Sequence, residues 1–154
     1  MDEWPVNGRR MKITLEIPTQ LTVEEAWHTL TNWGSHGEWI PLTKMIIVQA
    51  GDQPALGDKF IGRSGLWPLV FDDVMTVSRF DPPGGNGFCE VTKSGRLVKG
   101  SASFAVTSTE TGTVVTWVED IPLPPVLEKT LGGLLTLVGK WVFASALRKA
   151  LKSK

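Results

Sequence analysis

The chain has few residues of the kinds that build metal centres and disulfides. Cys89 is its single cysteine, and its histidines are His28 and His36 alone. An intrachain disulfide therefore cannot form, and neither a thiolate cluster nor a multi-histidine metal site can be assembled. We predict no metal and no cofactor.

Net charge and long apolar runs are lacking as well. The 16 lysines and arginines balance 16 acidic residues, and zero net charge argues against a broadly electrostatic partner such as nucleic acid. Gly132, Gly133 and Lys140 interrupt the longest apolar stretch, so we expect no integral membrane association. The N-terminus lacks the basic-then-apolar order of a signal peptide, and the predicted location is cytoplasmic.

Tyrosine is absent, whereas 7 tryptophans and 6 phenylalanines are present. A tyrosine hydroxyl commonly supplies a polar group inside an otherwise apolar pocket. Its absence predicts that any cavity makes mainly apolar contacts. Six aromatic residues lie on predicted strands or on the last helix. For each one, ordinary core packing is the simplest interpretation. Some of the six must nevertheless line any cavity that exists. These residues are Phe60, Phe71, Phe88, Phe104, Trp117 and Trp141.

A chain of 154 residues is most simply one domain with a full hydrophobic core. Residues 1–10 are predicted to be a disordered or extended lead-in, and residues 11–154 form the domain. Within it, most of the sequence alternates polar and apolar residues, as β-strands do. The predicted strands are Lys12–Ile17, Met45–Gln49, Asp58–Gly62, Leu69–Phe80, Phe88–Lys93, Leu97–Ser108 and Thr113–Glu119.

Three helices are predicted, two short and one long. Thr22-Val23-Glu24-Glu25 matches a capping box that begins a short helix, and Ser35–Trp39 could form a second short turn before Pro41. Val126–Leu151 is predicted to be the one long helix. The order is therefore one strand, two short helices, six strands and a long helix. Because short turns join the strands, we expect an antiparallel sheet bent around that helix.

The long helix is apolar over far more than one stripe. The predicted face toward the sheet is formed by Leu127, Leu131, Leu134, Val138 and Val142. Phe143 and Leu147 then fall on the outside, beside Lys140, without an evident partner. A second subunit, a membrane surface or the N-terminal segment could cover them, and a homodimer through this outer face is one prediction.

Several short motifs accompany this order of elements. They are Ala26–Trp33 followed by Trp39-Ile40-Pro41, Gly62-Arg63-Ser64-Gly65, Phe71-Asp72-Asp73-Val74-Met75, Phe80-Asp81-Pro82-Pro83, Gly95-Arg96, Gly100 and Trp117-Val118-Glu119-Asp120. Together they resemble the START/Bet v 1-like superfamily, also called SRPBCC or polyketide cyclase/dehydrase-like proteins. The resemblance covers nearly all of residues 11–151.

The resemblance implies an α+β helix-grip fold. In this fold a seven-stranded antiparallel sheet curves around the C-terminal helix and leaves an apolar cavity between them. Members of the superfamily include lipid and hormone binders, quinone-binding proteins, aromatase/cyclases and ring-hydroxylase domains. The fold alone does not determine which of these functions a member has.

Acidic residues inside strands are the candidates for catalysis. One carboxylate of Phe71-Asp72-Asp73 must point inward whichever way the strand faces, and Glu119 shares strand parity with Trp117. Glu90 lies in another strand. A carboxylate in an apolar cavity would have a raised pKa and could act as a general acid or base. Since pairing with a nearby lysine or arginine is the simpler interpretation, Asp73, Glu119 and Glu90 remain candidates only.

Arg63 has two interpretations. It could anchor a ligand carboxylate or phosphate through two parallel hydrogen bonds. It could equally pair with Asp72 or Asp73, which is the slightly favoured interpretation. His28 falls off the apolar face of the first helix and is predicted to be solvated, whereas His36 could form part of a cavity entrance.

Three functions stay open. The first is binding or carrying a hydrophobic small molecule, such as a lipid, isoprenoid or polyketide-like compound, between the sheet and the C-terminal helix. The second is an aromatase/cyclase-like enzyme, in which a carboxylate moves a proton and Arg63 polarises a carbonyl. The third is binding of a protein partner. The predicted ligand-contacting residues are Trp39, Phe60, Arg63, Phe71, Met75, Phe88, Phe104, Trp117, Leu134, Val138 and Trp141.

Overall fold

The computed structural model describes residues 10–123 and 125–152, with the side chains of the last helix described from residue 133 onward. A short 3₁₀ turn, Trp33–Ser35, precedes α2. The elements are β1 Arg10–Thr19, α1 Val23–Thr31, α2 His36–Trp39, β2 Thr43–Gln49, β3 Lys59–Leu66, β4 Leu69–Asp81, β5 Gly87–Ser94, β6 Lys99–Thr109, β7 Gly112–Pro122 and α3 Pro125–Ala150.

The predicted order of elements and the helix-grip fold are confirmed. Seven antiparallel strands form one sheet in the order β1-β7-β6-β5-β4-β3-β2. The chain begins its described part inside β1, at Arg10, so residues 1–9 of the predicted lead-in lie outside the described residues. β1 continues through Pro18 to Thr19, beyond its predicted end, because an edge strand tolerates a missing amide hydrogen.

A bulge bends β4 over the core. The register between β4 and β5 shifts between Val77 and Arg79. Bulges increase the twist of a strand and bend it. As a result Val77 before the bulge and Phe80 after it both pack toward the core, and the sheet acquires a concave face.

One end of the concave face is filled by side chains. Leu30 of α1 and Leu147 of α3 are fully buried there. The Trp27 ring lies 5.3 Å from the Phe80 ring and 5.5 Å from the Phe104 ring, centroid to centroid. This solid end leaves the rest of the concave face to be covered by the remaining length of α3.

The predicted capping box at the start of α1 is confirmed. The Glu25 amide donates to Thr22 Oγ1 at 3.1 Å, and the Thr22 amide donates to Glu25 Oε2 at 2.8 Å. Two amide hydrogens that have no partner inside the helix are thereby satisfied. α1 thus begins at a defined residue and places Trp27 over the sheet.

The face of α3 that contacts the sheet is rotated by about one residue, or about 100°, from the predicted face. Leu134 and Val138, assigned to the contacting face, are 59% and 50% exposed. Phe143 and Leu147, assigned to the outside, instead belong to the core or pack against it. The predicted outer patch at Phe143 and Leu147 is therefore wrong.

Small residues explain this difference. Gly139 approaches β1 so closely that a Cβ atom there would lie 3.0 Å from Ile13 Cδ1, and Ala146 is buried. Large apolar side chains lie on nearly every side of α3, so their positions alone do not identify the face that touches the sheet. Of the other predicted contact positions, Val142 is half-buried, and Leu127 and Leu131 lie outside the described side chains. Within residues 10–123 and 125–152, no helix combines the length and the apolar character needed to cross a membrane.

Candidate ligand-binding cavity

A cavity of about 610 Å³ lies between the concave face of the sheet and α3. Every strand of the sheet contributes to it, because alternate side chains of each strand point to the same face. Its apolar lining consists of Met11, Met45, Phe60, Phe71, Met75, Val91, Phe104, Trp117, Leu135, Val138 and Phe143, among others. Phe71, Leu97 and Val138 line the cavity and are also substantially exposed, so they mark its mouth.

Stacked aromatic rings form much of the wall. Phe104 and Trp117 lie nearly parallel with their centroids 5.8 Å apart, and Phe143 of α3 adds a third ring 6.2 Å from Trp117. Trp33 and Phe60 stack at 4.7 Å on another part of the lining. Rings held in this way offer large, rigid apolar surfaces to a ligand.

Three charged side chains form a single cluster on the cavity wall. They are Asp73 of β4, Lys93 of β5 and Glu119 of β7. Lys93 Nζ donates to Asp73 Oδ2 at 2.7 Å and lies 3.1 Å from Glu119 Oε2. Trp117 Nε1 donates to Glu119 Oε1 at 3.0 Å. We call these three side chains the charged cluster.

The sheet register explains how Lys93 reaches Glu119 across an intervening strand. On β6, the residue opposite Lys93 is Gly100, which has no side chain, and the residue opposite Glu119 is Ala102. Both are small, so the lysine stem can pass over β6. The cluster is therefore a product of strand order, with its members 20 and 26 residues apart along the chain (93 − 73 and 119 − 93).

Burial sets the ionisation of the charged cluster. It raises the pKa of Glu119, although the Lys93 ammonium and the Trp117 indole oppose the shift. For Lys93, burial acts to lower the pKa, but the two neighbouring carboxylates outweigh it and the pKa is raised. Lys93 is therefore an ammonium at neutral pH and is not a nucleophile.

Strand parity decides which predicted carboxylates face the cavity. Asp73 and Glu119 line it, and the expectation that one of Asp72 and Asp73 points inward is confirmed. The structure places Glu90 on the outer face of β5, because its neighbour Cys89 points inward. Glu90 lies opposite Arg79 of β4 and is not among the lining residues.

Arg63 points away from the cavity. Its Nε and Nη2 atoms donate to the two oxygens of Asp72 at 2.8 and 3.0 Å on the outer face of the sheet. The favoured internal pair is thus the observed one, and the hydrogen bonds from Arg63 lower the pKa of Asp72. Gly62 and Ser64, on either side of Arg63, line the cavity together with Phe60 of the same strand.

Six of the predicted ligand-contacting residues line the cavity, and the others do not. Phe88 lies on the outer face of β5, where the Arg79 guanidinium stands 4.6 Å from its ring centroid. Leu134 is exposed because α3 is rotated from its predicted orientation. The six that line the cavity are Phe60, Phe71, Met75, Phe104, Trp117 and Val138.

Trp39, Trp141 and Arg63 instead line a second depression, which we call the outer groove. It lies between the segment after α2, the β3–β4 hairpin and α3, and its volume is about 800 Å³. Trp141 is 70% exposed there. Trp39 is buried and packs edge-on against Trp117 at 6.4 Å, so it supports the cavity wall from behind.

Two titratable cavity residues are held neutral. His36 Nε2 donates to the Leu30 carbonyl at 2.8 Å, and burial lowers the pKa of His36 to about 4. Burial likewise raises the pKa of the Cys89 thiol to about 12, which leaves no thiolate nucleophile at neutral pH. His28 is exposed, as predicted. The described residues contain no group of three or more side chains placed to hold a metal ion.

Lys93 is the charged cavity residue that the sequence did not single out, because only pairing with a nearby lysine or arginine was expected. A signal was present, because Cys89, Val91 and Lys93 share one face of β5. A lysine that continues an inward-facing apolar series is a buried cation, and a buried cation needs anionic partners.

No protein-family model matches the sequence, and no curated protein matches it either. Solved structures do match. The di-domain aromatase/cyclase StfQ from the steffimycin biosynthetic pathway superposes with a TM-score of 0.71 at 15% identity, over 92% of this chain and 49% of StfQ. The chain thus spans about half the length of StfQ.

Two further structures match along most of their own length. The Zhui aromatase/cyclase from Streptomyces sp. R1128 has a TM-score of 0.66 at 11% identity, over 92% of this chain and 94% of Zhui. The major latex-like protein 151 from Panax ginseng has a TM-score of 0.56 at 16% identity, over 94% and 99%. At such identities the likeness shows that this chain shares their fold, and it shows the fold alone.

Proposed function

We propose that this helix-grip protein binds or carries a hydrophobic small molecule in the cavity between its sheet and α3. The cavity itself carries the proposal, because about 610 Å³ of space is lined by apolar and aromatic side chains with one charged cluster. Small-molecule sites typically enclose about 300–1,000 Å³ and combine an apolar lining with a few polar groups. Lipids, isoprenoids and polyketide-like compounds have the matching chemistry.

Gly62 offers a way to fill the cavity from the sheet. A Cβ atom there would lie 3.5 Å from Met75 Cε and 3.8 Å from Met45 Sδ, which are ordinary contacts with flexible side chains. Gly62→Leu is expected to weaken binding of an apolar ligand about tenfold or more, because its side chain occupies ligand volume. Titration calorimetry with a hydrophobic fluorescent dye measures the affinity.

The matched control for Gly62→Leu is Thr92→Leu, which adds an apolar side chain at an exposed position of β5. Dye affinity should be unchanged in that variant. Native mass spectrometry after gentle purification, followed by organic extraction, tests whether a ligand copurifies with the wild type. Equal affinities in both leucine variants, or a wild type that neither retains a compound nor binds the dye, would contradict the proposal.

Acid–base catalysis is a second candidate, and the raised pKa of Glu119 in the cavity wall favours it. The predicted role of Arg63, polarising a substrate carbonyl, has no support, because that side chain lies on the outer face of the sheet. If the wild type converts a copurified compound, Glu119→Gln should stop conversion while binding persists. Conversion that continues in Glu119→Gln would remove this candidate.

The homodimer and the protein partner stay predictions, as do the cytoplasmic location and the absence of a nucleic-acid partner. Of the residues that suggested the homodimer, Leu147 is buried in the core and Phe143 packs against the core and lines the cavity. Leu137 and Trp141 form a different exposed apolar surface on α3, beside the exposed Leu66 of the β3–β4 hairpin.

A further inference from the structure

Some buried carboxylate oxygens of the charged cluster have no hydrogen-bond donor. Asp73 Oδ2 and Glu119 Oε2 both lie against Lys93 Nζ, and Glu119 Oε1 accepts from the Trp117 indole. Asp73 Oδ1 and Glu119 Oε2 are both buried and accept no hydrogen bond from the described residues, although Glu119 Oε2 lies 3.1 Å from the Lys93 ammonium. A buried acceptor without a donor is unfavourable, and a ligand hydroxyl or amine could supply the missing donor.

Asp73 is also the most exposed member of the charged cluster. Its side chain is 17% exposed, against 4% for Lys93 and 2% for Glu119. Directly opposite Asp73 on β3 lies Gly62, which has no side chain, and a Cβ atom there would lie nearest the flexible ends of Met75 and Met45. The polar end of a ligand can therefore approach Asp73 while its apolar body contacts Phe71 and Met75 on the same strand.

The charge of the cluster selects against acids. One ammonium faces two carboxylates, so the cluster is negative when Glu119 is ionised and neutral when it is protonated. In neither state does it offer an unpaired cation to a ligand carboxylate. Among the described lining residues Lys93 is the one cation, and Arg63 lies on the outer face with Asp72. A buried anionic ligand would therefore be uncompensated.

We infer that the cavity selects ligands whose polar end is a hydrogen-bond donor, such as an alcohol or a phenol, and rejects the corresponding carboxylates. The donor bonds Asp73, and the apolar body fills the aromatic-walled space. This inference rests on the proposed function and deepens it, since it names the ligand chemistry that the same cavity accepts.

Three ligands with one alkyl chain test the inference on the wild type. Dodecanol offers a hydroxyl donor, its methyl ether keeps the oxygen without the donor, and dodecanoate at about pH 8 is an anion. Titration calorimetry is expected to give dodecanol an affinity about tenfold higher than that of either other ligand, because only dodecanol satisfies Asp73.

Substitutions at two neighbouring residues, Asp73 and Asp72, test which carboxylate causes the preference for dodecanol. Asp73→Asn replaces the carboxylate by an amide of the same shape that can itself donate. It is expected to strengthen dodecanoate binding about tenfold and to reduce the preference of dodecanol over its ether. Asp72→Asn, on the outer face of the same strand, should leave all three affinities unchanged.

The outcomes separate the inference from the proposed function. If all three ligands bind equally well, or if dodecanoate binds most tightly, the inference is overturned while hydrophobic binding stands. If the wild type prefers dodecanol but Asp72→Asn and Asp73→Asn behave alike, the role of Asp73 is overturned. If none of the three ligands binds, both the inference and the proposed function fail.

Discussion

Lys93→Met is expected to lower the free energy of unfolding at neutral pH by about 3–5 kcal/mol, the typical effect of breaking a buried ion pair from one side. Methionine approximates the length of the lysine stem, so little packing is lost. Asp73 and Glu119, however, become two carboxylates in the cavity wall without their cation. Urea denaturation followed by tryptophan fluorescence measures the change.

The loss in Lys93→Met should depend on pH with a defined sign. Burial already raises the pKa of Glu119 in the folded state, and removal of Lys93 raises it further. Stability from a raised carboxyl pKa is fully present below the unfolded-state pKa and is lost as the pH rises through the folded-state pKa. The destabilisation should therefore shrink on acidification toward about pH 5, near the ordinary glutamate range.

Arg63→Met is the matched control for Lys93→Met, because it removes the cation of an exposed pair. Arg63 and Asp72 lie on the outer face with side chains 49% and 38% exposed, so the expected loss is much smaller than that of Lys93→Met, because solvent screens an exposed pair. Equal losses in the two variants, or a Lys93→Met defect that grows on acidification, would show that the charged cluster is not buried as described.

Leu147→Ala is expected to destabilise the protein by about 2–5 kcal/mol, the usual range for a buried leucine. The side chain is fully buried where α3 packs against the sheet. Leu134→Ala, on the same helix, should change the free energy of unfolding by about 0.5 kcal/mol or less, because its side chain is largely exposed. The same urea titrations compare the two variants.

This pair of leucines distinguishes the observed orientation of α3 from the one that its sequence favours. The apolar pattern assigned Leu134 to the sheet and Leu147 to the outside. A larger loss in Leu134→Ala than in Leu147→Ala would restore that assignment. Alanine has a high helix propensity, so neither substitution should weaken α3 by itself.

The order of the elements was predictable because each signal is local. Alternating residues, turn residues and the capping box at Thr22 act over two to four positions. The same locality predicted that Asp72 and Asp73 face opposite sides of β4. Parity could not tell which of them faces inward, because that choice depends on how the whole strand is placed in the sheet.

The charged cluster and the helix orientation were not predictable, since both depend on distant parts of the chain. Lys93 meets Glu119 across β6, where the residues opposite them, Gly100 and Ala102, are both small. α3 turns its Gly139 face to β1, where even a Cβ atom would lie only 3.0 Å from Ile13 Cδ1. The spacing of large apolar residues gives no signal for a contact in which the backbone of a glycine packs against a neighbouring strand.

The most direct test of a ligand-binding cavity is an NMR titration of the methionine methyl groups. Met11, Met45 and Met75 all line the cavity, so methyl-labelled methionine reports from inside it. Added dodecanol should shift the Met45 and Met75 signals along saturable curves with one dissociation constant, and nuclear Overhauser contacts should join both methyl groups to the ligand. Methyl signals that stay unchanged, or that drift without saturating, would contradict a cavity that binds hydrophobic molecules.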